Sequence, residues 1–222
     1  MLRQTLEGVI AVVLLLVLSP LLLMLAIGAA VSTRAWPLFT QVRVGLDGKP
    51  FRLVKLRTLP KSTPSDATKY ELGQLPPPPR LCQAMRAYHL DELPQLLLVV
   101  TGRMRLVGPR PEMPHLYTLF SDEFARLRTS VKPGCTGLWQ ISHHCKAMIF
   151  EHTELDEYYV QHHNLWLDGW ILARTGRFML PIQDRRIMSV ADIPSWIGVE
   201  VDATRARELA TSEANGLAGK SS

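Results

Sequence analysis

The stretch GVIAVVLLLVLSPLLLMLAIGAAV, residues 8–31, decides how the chain is organised. No ionisable side chain lies between Glu7 and Arg34, and the run is long enough to cross a bilayer as a helix. It admits three readings. A cleaved secretory signal would use the small residues near Ala29 and Ala30, but the apolar core is too long and Arg3 is offset by Glu7. A plain transmembrane helix is allowed, and the basic residues from Arg34 onward would then hold the large C-terminal part in the cytoplasm. The third reading starts from Ser19-Pro20 in mid-run. Proline removes a helical hydrogen bond and crowds the carbonyl of Leu16, so a strong kink is expected, with the Ser19 hydroxyl placed to satisfy a freed carbonyl. Each half is about a dozen residues, roughly 18 Å of helix against about 30 Å of hydrocarbon. A re-entrant helix that leaves on the face it entered is therefore as open as a kinked span.

Beyond this run the chain is basic. The net charge is +5 over 222 residues, and Arg34, Arg43, Lys49, Arg52, Lys55 and Arg57 follow the apolar segment against only Asp47. Such a cluster suits anionic headgroups or phosphates. There is no aromatic-and-basic binding motif and no Cys/His finger spacing, which argues against nucleic acid. Cys82, Cys135 and Cys145 are odd in number and far apart, so reduced thiols are expected. The consecutive His143, His144 and Cys145 do not make a zinc site by themselves, because neighbouring side chains rarely converge without further ligands.

Alternation over 38–44 and 50–58 around Gly45-Leu46-Asp47-Gly48 predicts a β-hairpin. A period of two then puts Phe51, Leu53, Lys55 and Arg57 on one face. Their cations serve a lipid headgroup or a phosphate substrate equally well. Residues 61–80, rich in Pro, Ser and Thr, read as a loop. Helices are expected after Pro94, after a Ser121 cap, after a capping arrangement at Thr153 to Asp156, and over 165–180, the last apolar enough to lie on a membrane. The tail from Ser189 onward is expected to fray.

Leu90-Asp91-Glu92-Leu93-Pro94-Gln95 places two adjacent carboxylates at a helix start. Acidic residues and proline belong there for structural reasons alone. Nearby Arg80, Arg86, Arg105 and Arg110 turn the same pair into a candidate phosphate site. In Gly108-Pro109-Arg110-Pro111 the two prolines fix the backbone that presents the Arg110 guanidinium. Lys132 to Gln140 forms another rigid loop, with glycines for close approach and Trp139 for stacking.

In this order the motifs Phe39 to Gly45, Lys55 to Thr58, Leu90 to Gln95, Val107 to Glu112 and Lys132 to Gln140 resemble the bacterial sugar transferase family, the monotopic phosphoglycosyl transferases. The resemblance covers residues 1–180. It implies an α+β fold with a re-entrant helix, a small hairpin and several helices, some at the membrane interface. It divides the chain into a membrane-embedded helix (1–36), a cytoplasmic catalytic domain (37–182) and a C-terminal extension (183–222) with a disordered end. It implies transfer of a sugar 1-phosphate from a UDP-sugar to polyprenyl phosphate at the bacterial inner membrane, as the first membrane step of a surface glycan. Asp91 is then the nucleophile that carries the phosphosugar, and Glu92 its catalytic neighbour and the ligand of Mg²⁺. Lys55, Arg57, Arg86, Arg110 and Asp156 are the substrate-binding candidates. Inner-membrane lipid and a second copy of the chain are the further partners implied.

The chain departs from the family pattern at two places. Gly102-Arg103-Met104-Arg105 stands where the family usually has Gly-Asp-Met-Ser, and His143-His144 stands near a usual Gly-Arg pair. Arg103 or Arg105 is the expected substitute for the lost arginine. A membrane-anchored metal-dependent phosphohydrolase and a non-catalytic docking relative are the alternatives.

Overall fold

A computed structural model of the chain describes residues 2–64, 77–146, 149, 152–178 and 187–197. Its architecture is α+β, organised along one long helix. Helix α1, Leu2–Thr33, runs through Pro20 without interruption. The Ser19 hydroxyl donates to the Leu16 carbonyl at 2.8 Å, so the acceptor that proline leaves without its backbone donor is satisfied by the preceding side chain. Glu7, Ala11 and Leu15 before Pro20, and Leu21, Leu25 and Ala29 after it, form two runs of four-residue steps that pack onto the remainder of the fold. Val9, Val13, Leu16, Val17, Leu23, Met24 and Ile27 are exposed on the other side, a far larger apolar strip than a water-facing surface carries.

Both ends of α1 are tied to the same body. Near its start, Arg3 pairs with Asp168, Glu7 accepts from Arg105 at 3.3 Å and from the Leu106 amide at 3.1 Å, and Gln4 accepts from Lys132 at 2.7 Å. Toward its end, Leu25 and Ala29 pack with Leu56 and Met85. Arg3 and Glu7, which the sequence offers only as weak charges ahead of an apolar run, are thus part of a buried ionic anchor.

The expected hairpin forms, its second strand ending at Leu56 rather than at residue 58. Strand β1, Leu38–Val44, pairs antiparallel with β2, Pro50–Leu56, in a register from Leu38↔Leu56 to Val44↔Pro50. Asp47 and Gly48 take the left-handed conformation that closes the turn, with φ of 53° and 72°. Strand β2 is gripped on two sides, since Leu53 enters the main core and Leu56 the cluster under α1. Helix α2, Arg80–Ala87, reaches that cluster through Met85. The short α3, Leu96–Val100, packs on α1 and follows the 3-10 turn Leu90–Gln95.

A second, parallel pair joins β3, Arg105–Val107, to β4, Gly134–Thr136. Three residues each are too few to leave an alternation in the sequence. What the sequence does carry is the glycine requirement. A Cβ on Gly108 would lie 2.7 Å from the Lys132 carbonyl oxygen and 2.9 Å from the Gly134 nitrogen, and one on Gly134 would overlap the Gly108 backbone. Gly134→Ala is therefore expected to destabilise by about 2 kcal/mol or more, because rigid backbone must move. Thermal unfolding in detergent checks this, and an unchanged melting temperature would refute the close approach.

Helix α4, Pro114–Tyr117, precedes α5, Asp122–Thr129, which Ser121 caps by accepting from the Phe124 amide at 3.3 Å. Helix α6, Glu154–His162, begins after Thr153, but the Thr153 side chain makes no capping bond, contrary to the sequence expectation. Helix α7, Leu165–Phe178, buries Leu167 and Ile171 and exposes Leu165, Trp166 and Leu172. The expected fraying from Ser189 is corrected for 189–197. Ile187, Ile193 and Ile197 are buried in the main core, and Ser189 and Asp192 form a reciprocal cap on a short 3-10 turn. The rest of the expected frayed tail, 198–222, and most of the 61–80 loop lie outside the described residues.

Candidate active site

In the 3-10 turn Leu90–Gln95, residues three apart eclipse one another. Leu90 and Leu93 pack against the cluster under α1, while Asp91 and Glu92 line a cavity of about 750 Å³. His89 leads into the turn at a φ of 54°, a left-handed conformation that costs a non-glycine residue about 1–3 kcal/mol and that concentrates at functional sites. This conformation of His89 is set by its place in the fold and is not legible from the residues around it.

Lys55, Arg57, Arg86 and Arg110, all predicted, line the cavity together with Arg43. Among the described residues, five cations thus share the lining with three carboxylates, Asp91, Glu92 and Glu112. The β-strand period explains why Lys55 and Arg57 arrive together. Both stand over the Phe39 ring, 5.5 Å and 5.4 Å from its centroid. Burial pulls the Lys55 ammonium down to about 8, against the pull of Glu92. Arg86 reaches Thr58 at 3.4 Å, and Arg110 pairs with Glu92 at 3.3 Å. Arg43 and Glu112, inside quoted motifs but not proposed as site residues, form a buried pair at 3.5 Å between β1 and the loop after Arg110. Burial lowers the Arg43 guanidinium to about 10, with Glu112 opposing.

The two adjacent carboxylates are driven apart. Burial, then the Glu92 charge, raises the Asp91 carboxyl to about 6, although Lys55 and Arg86 pull it down. Burial also pushes Glu92 upward, but Arg110, His89 and Lys55 outweigh it and hold Glu92 below its ordinary value. Neighbours in sequence with opposite shifts are what a division of chemical labour requires.

Two predicted roles find other places. Asp156 does not line the cavity. It is buried beside Arg128, which donates to it at 2.7 Å and also donates to the Arg110 carbonyl oxygen. Arg105 is committed to Glu7, and neither Arg105 nor the exposed Arg103 lines the cavity, so neither stands in for a cation there.

Gln140 does line it. Its Nε2 and Oε1 are buried without a hydrogen-bond partner among the described residues, an arrangement that a bound polar ligand resolves. The Cys135 thiol, also on the wall, is pushed up to about 12 by burial and stays protonated. Apolar side chains complete the lining, among them Leu14 and Leu18 of α1, Leu96, Phe120 and Ile149.

A family profile described as bacterial sugar transferase matches residues 1–181. An uncharacterized sugar transferase of Bacillus subtilis is 41% identical over 145 residues, covering 64% of this chain and 69% of its own. A UDP-glucose:undecaprenyl-phosphate glucose-1-phosphate transferase of Caulobacter vibrioides is 34% identical, covering 78% of this chain and 67% of its own. A UDP-N-acetylgalactosamine-undecaprenyl-phosphate N-acetylgalactosaminephosphotransferase of Aeromonas hydrophila is 30% identical, over 80% of this chain and 43% of its own.

Proposed function

The chain belongs to the bacterial sugar transferase family, and from that premise we propose that it transfers a sugar 1-phosphate from a UDP-sugar to undecaprenyl phosphate. The products are undecaprenyl-diphosphate-sugar and UMP. One observation carries this reading: the carboxylate pair lies in a cavity whose lining combines the cations Arg43, Lys55, Arg57, Arg86 and Arg110 with Leu14 and Leu18 of the membrane helix. Such a space suits two substrates that share a phosphate end, one attached to a nucleoside and the other to an isoprenoid chain.

Asp91 attacks the β-phosphorus of the UDP-sugar, forming an acyl phosphate as the bond from that phosphorus to the bridging oxygen breaks and UMP leaves. A phosphate oxygen of the lipid then attacks the same phosphorus, and the bond to Asp91 breaks to regenerate the carboxylate. Lys55, Arg57, Arg86 and Arg110 bind and orient the phosphates, so that two anions meet without prohibitive repulsion. Arg110 engages one Glu92 oxygen and fixes the side chain. The adjacent carboxylates are the hard oxygen donors that suit Mg²⁺, which binds through one or two carboxylates together with substrate phosphates. Glu92 is the residue to hold it, and when bound it supplies charge neutralisation at the diphosphate.

The same reading places α1 in the cytoplasmic leaflet with both ends on the cytoplasmic face. Its support is that Arg3 and Glu7, at one end, and Leu25 and Ala29, toward the other, bind one body. A span would carry Arg3 away from Asp168. Cysteines placed at Thr5 and Ser62 are expected to resist an impermeant maleimide added to intact cells and to react after permeabilisation. Labelling of position 5 alone from outside would reject this topology.

The purified protein with Mg²⁺, a panel of UDP-sugars and undecaprenyl phosphate is expected to release UMP for at least one donor. Inorganic phosphate released from a diphosphate without any lipid acceptor would favour a phosphohydrolase instead.

A further inference from the structure

His144 and His152 lie eight residues apart in sequence, yet their imidazole rings meet with centroids 3.7 Å apart, tilted by 33°. The Glu154 carboxylate is 3.8 Å from Nδ1 of His152. Ligand-capable atoms of the three side chains all fall within 4.8 Å of one another, and each residue is partly exposed. We propose that His144, His152 and Glu154 form a second metal site, separate from the carboxylate pair of the cavity, for a divalent transition metal of the zinc class.

The donor set decides the metal. Two imidazole nitrogens and one carboxylate oxygen suit zinc, cobalt or nickel, whereas Mg²⁺ prefers oxygen ligands. Ligand atoms on a tetrahedral zinc lie roughly 3.3 Å apart, so side-chain movements of about 1.5 Å or less close the site. The outer shell is already in place. Nε2 of His144 is 2.9 Å from the Met188 carbonyl oxygen, which accepts its proton and leaves Nδ1 as the ligating nitrogen. A ligating histidine that donates its other ring proton to a backbone carbonyl is the usual arrangement around zinc. The positive end of α6 opposes a cation here, but Glu154 and Glu157 in its first turn offset it.

The site joins three parts of the fold. His144 stands in the 3-10 turn His143–Lys146, whose Cys145 lines the cavity; His152 and Glu154 open α6; and Met188 belongs to the segment whose isoleucines fill the core. A metal would clamp the C-terminal segment and the cavity loop to α6. Three protein ligands leave one tetrahedral position for water. Sequence alone presents His143, His144 and Cys145 only as neighbours; folding brings His152 and Glu154 to His144 from beyond Lys146.

The test uses the full chain in detergent, without a polyhistidine tag and stripped with chelator. Zinc is expected to bind at one ion per chain and to raise the melting temperature. Cobalt(II) should give the visible absorption bands of a four-coordinate site. Removing an outer-shell partner costs about 10–100-fold in affinity, so His144→Ala and His152→Gln should each weaken zinc binding by more than about 100-fold. Glu154→Gln should weaken it too, and His162→Ala should not. Equal metal-free melting temperatures would separate lost ligation from misfolding. If His144→Ala does not fold, His152→Gln and Glu154→Gln decide the matter. Absence of stoichiometric zinc binding, or variants that bind as the parent does, would overturn the site.

Discussion

Asp91→Asn is expected to lower UMP release by on the order of 10⁴-fold or more, the scale of losing a covalent nucleophile, while the melting temperature holds or rises. The substitution keeps shape and removes the carboxylate proposed as nucleophile, whose charge Lys55 and Arg86 favour. Stability should not suffer, and the sign follows from the carboxyl's environment. Burial and the neighbouring Glu92 raise Asp91 to about 6, so at pH 7 its ionised form is a cost to the folded state. An amide removes that cost. Parent enzyme given a UDP-sugar without lipid should release a burst of UMP approaching one equivalent and retain phosphosugar on the peptide containing Asp91; the Asn variant should do neither. Full activity in the variant would dismiss Asp91 as nucleophile, and continuous UMP release by the parent without lipid would point to water as the acceptor.

Some of this site is legible in the sequence because the features that build it are periodic or local. Alternation along β2 and the residue after it brings Lys55 and Arg57 to one cavity, and the glycines of the Gly108 and Lys132-to-Gln140 loops announce the close backbone approach seen at Gly108 and Gly134. The Ser121 cap is likewise local chemistry. What escapes sequence reasoning depends on partners far along the chain. Arg3 becomes an anchor only because α7 supplies Asp168, and Ile193 and Ile197 are held only because the main core leaves room for them. Asp156 belongs to the same class. A carboxylate in the first turn of a helix says nothing about which arginine it will meet, and Arg128 carries no motif. The order of motifs points to the carboxylate pair, but packing assigns each remaining charge to substrate, scaffold or helix anchor.

Asp156→Ala is expected to destabilise the protein by about 3–5 kcal/mol, since it leaves the buried Arg128 guanidinium without its counter-ion. At this chain length that is a fall of roughly 10 °C in melting temperature. Activity should fall as well, by a route that passes through Arg110. Arg128 donates both to Asp156 and to the Arg110 carbonyl oxygen, and Arg110 in turn pairs with Glu92. Asp156 is thus a positioning residue two contacts removed from the cavity. Exchanging both partners for apolar residues separates the two effects. Asp156→Leu with Arg128→Met removes the stranded charge, and a buried pair replaced by well-packed apolar side chains is often neutral in stability. The double variant should therefore regain most of the lost melting temperature. It should not regain activity, because Arg128 no longer donates to the Arg110 carbonyl oxygen. A merely structural pair would recover both together, so activity restored in step with stability would refute the positioning role.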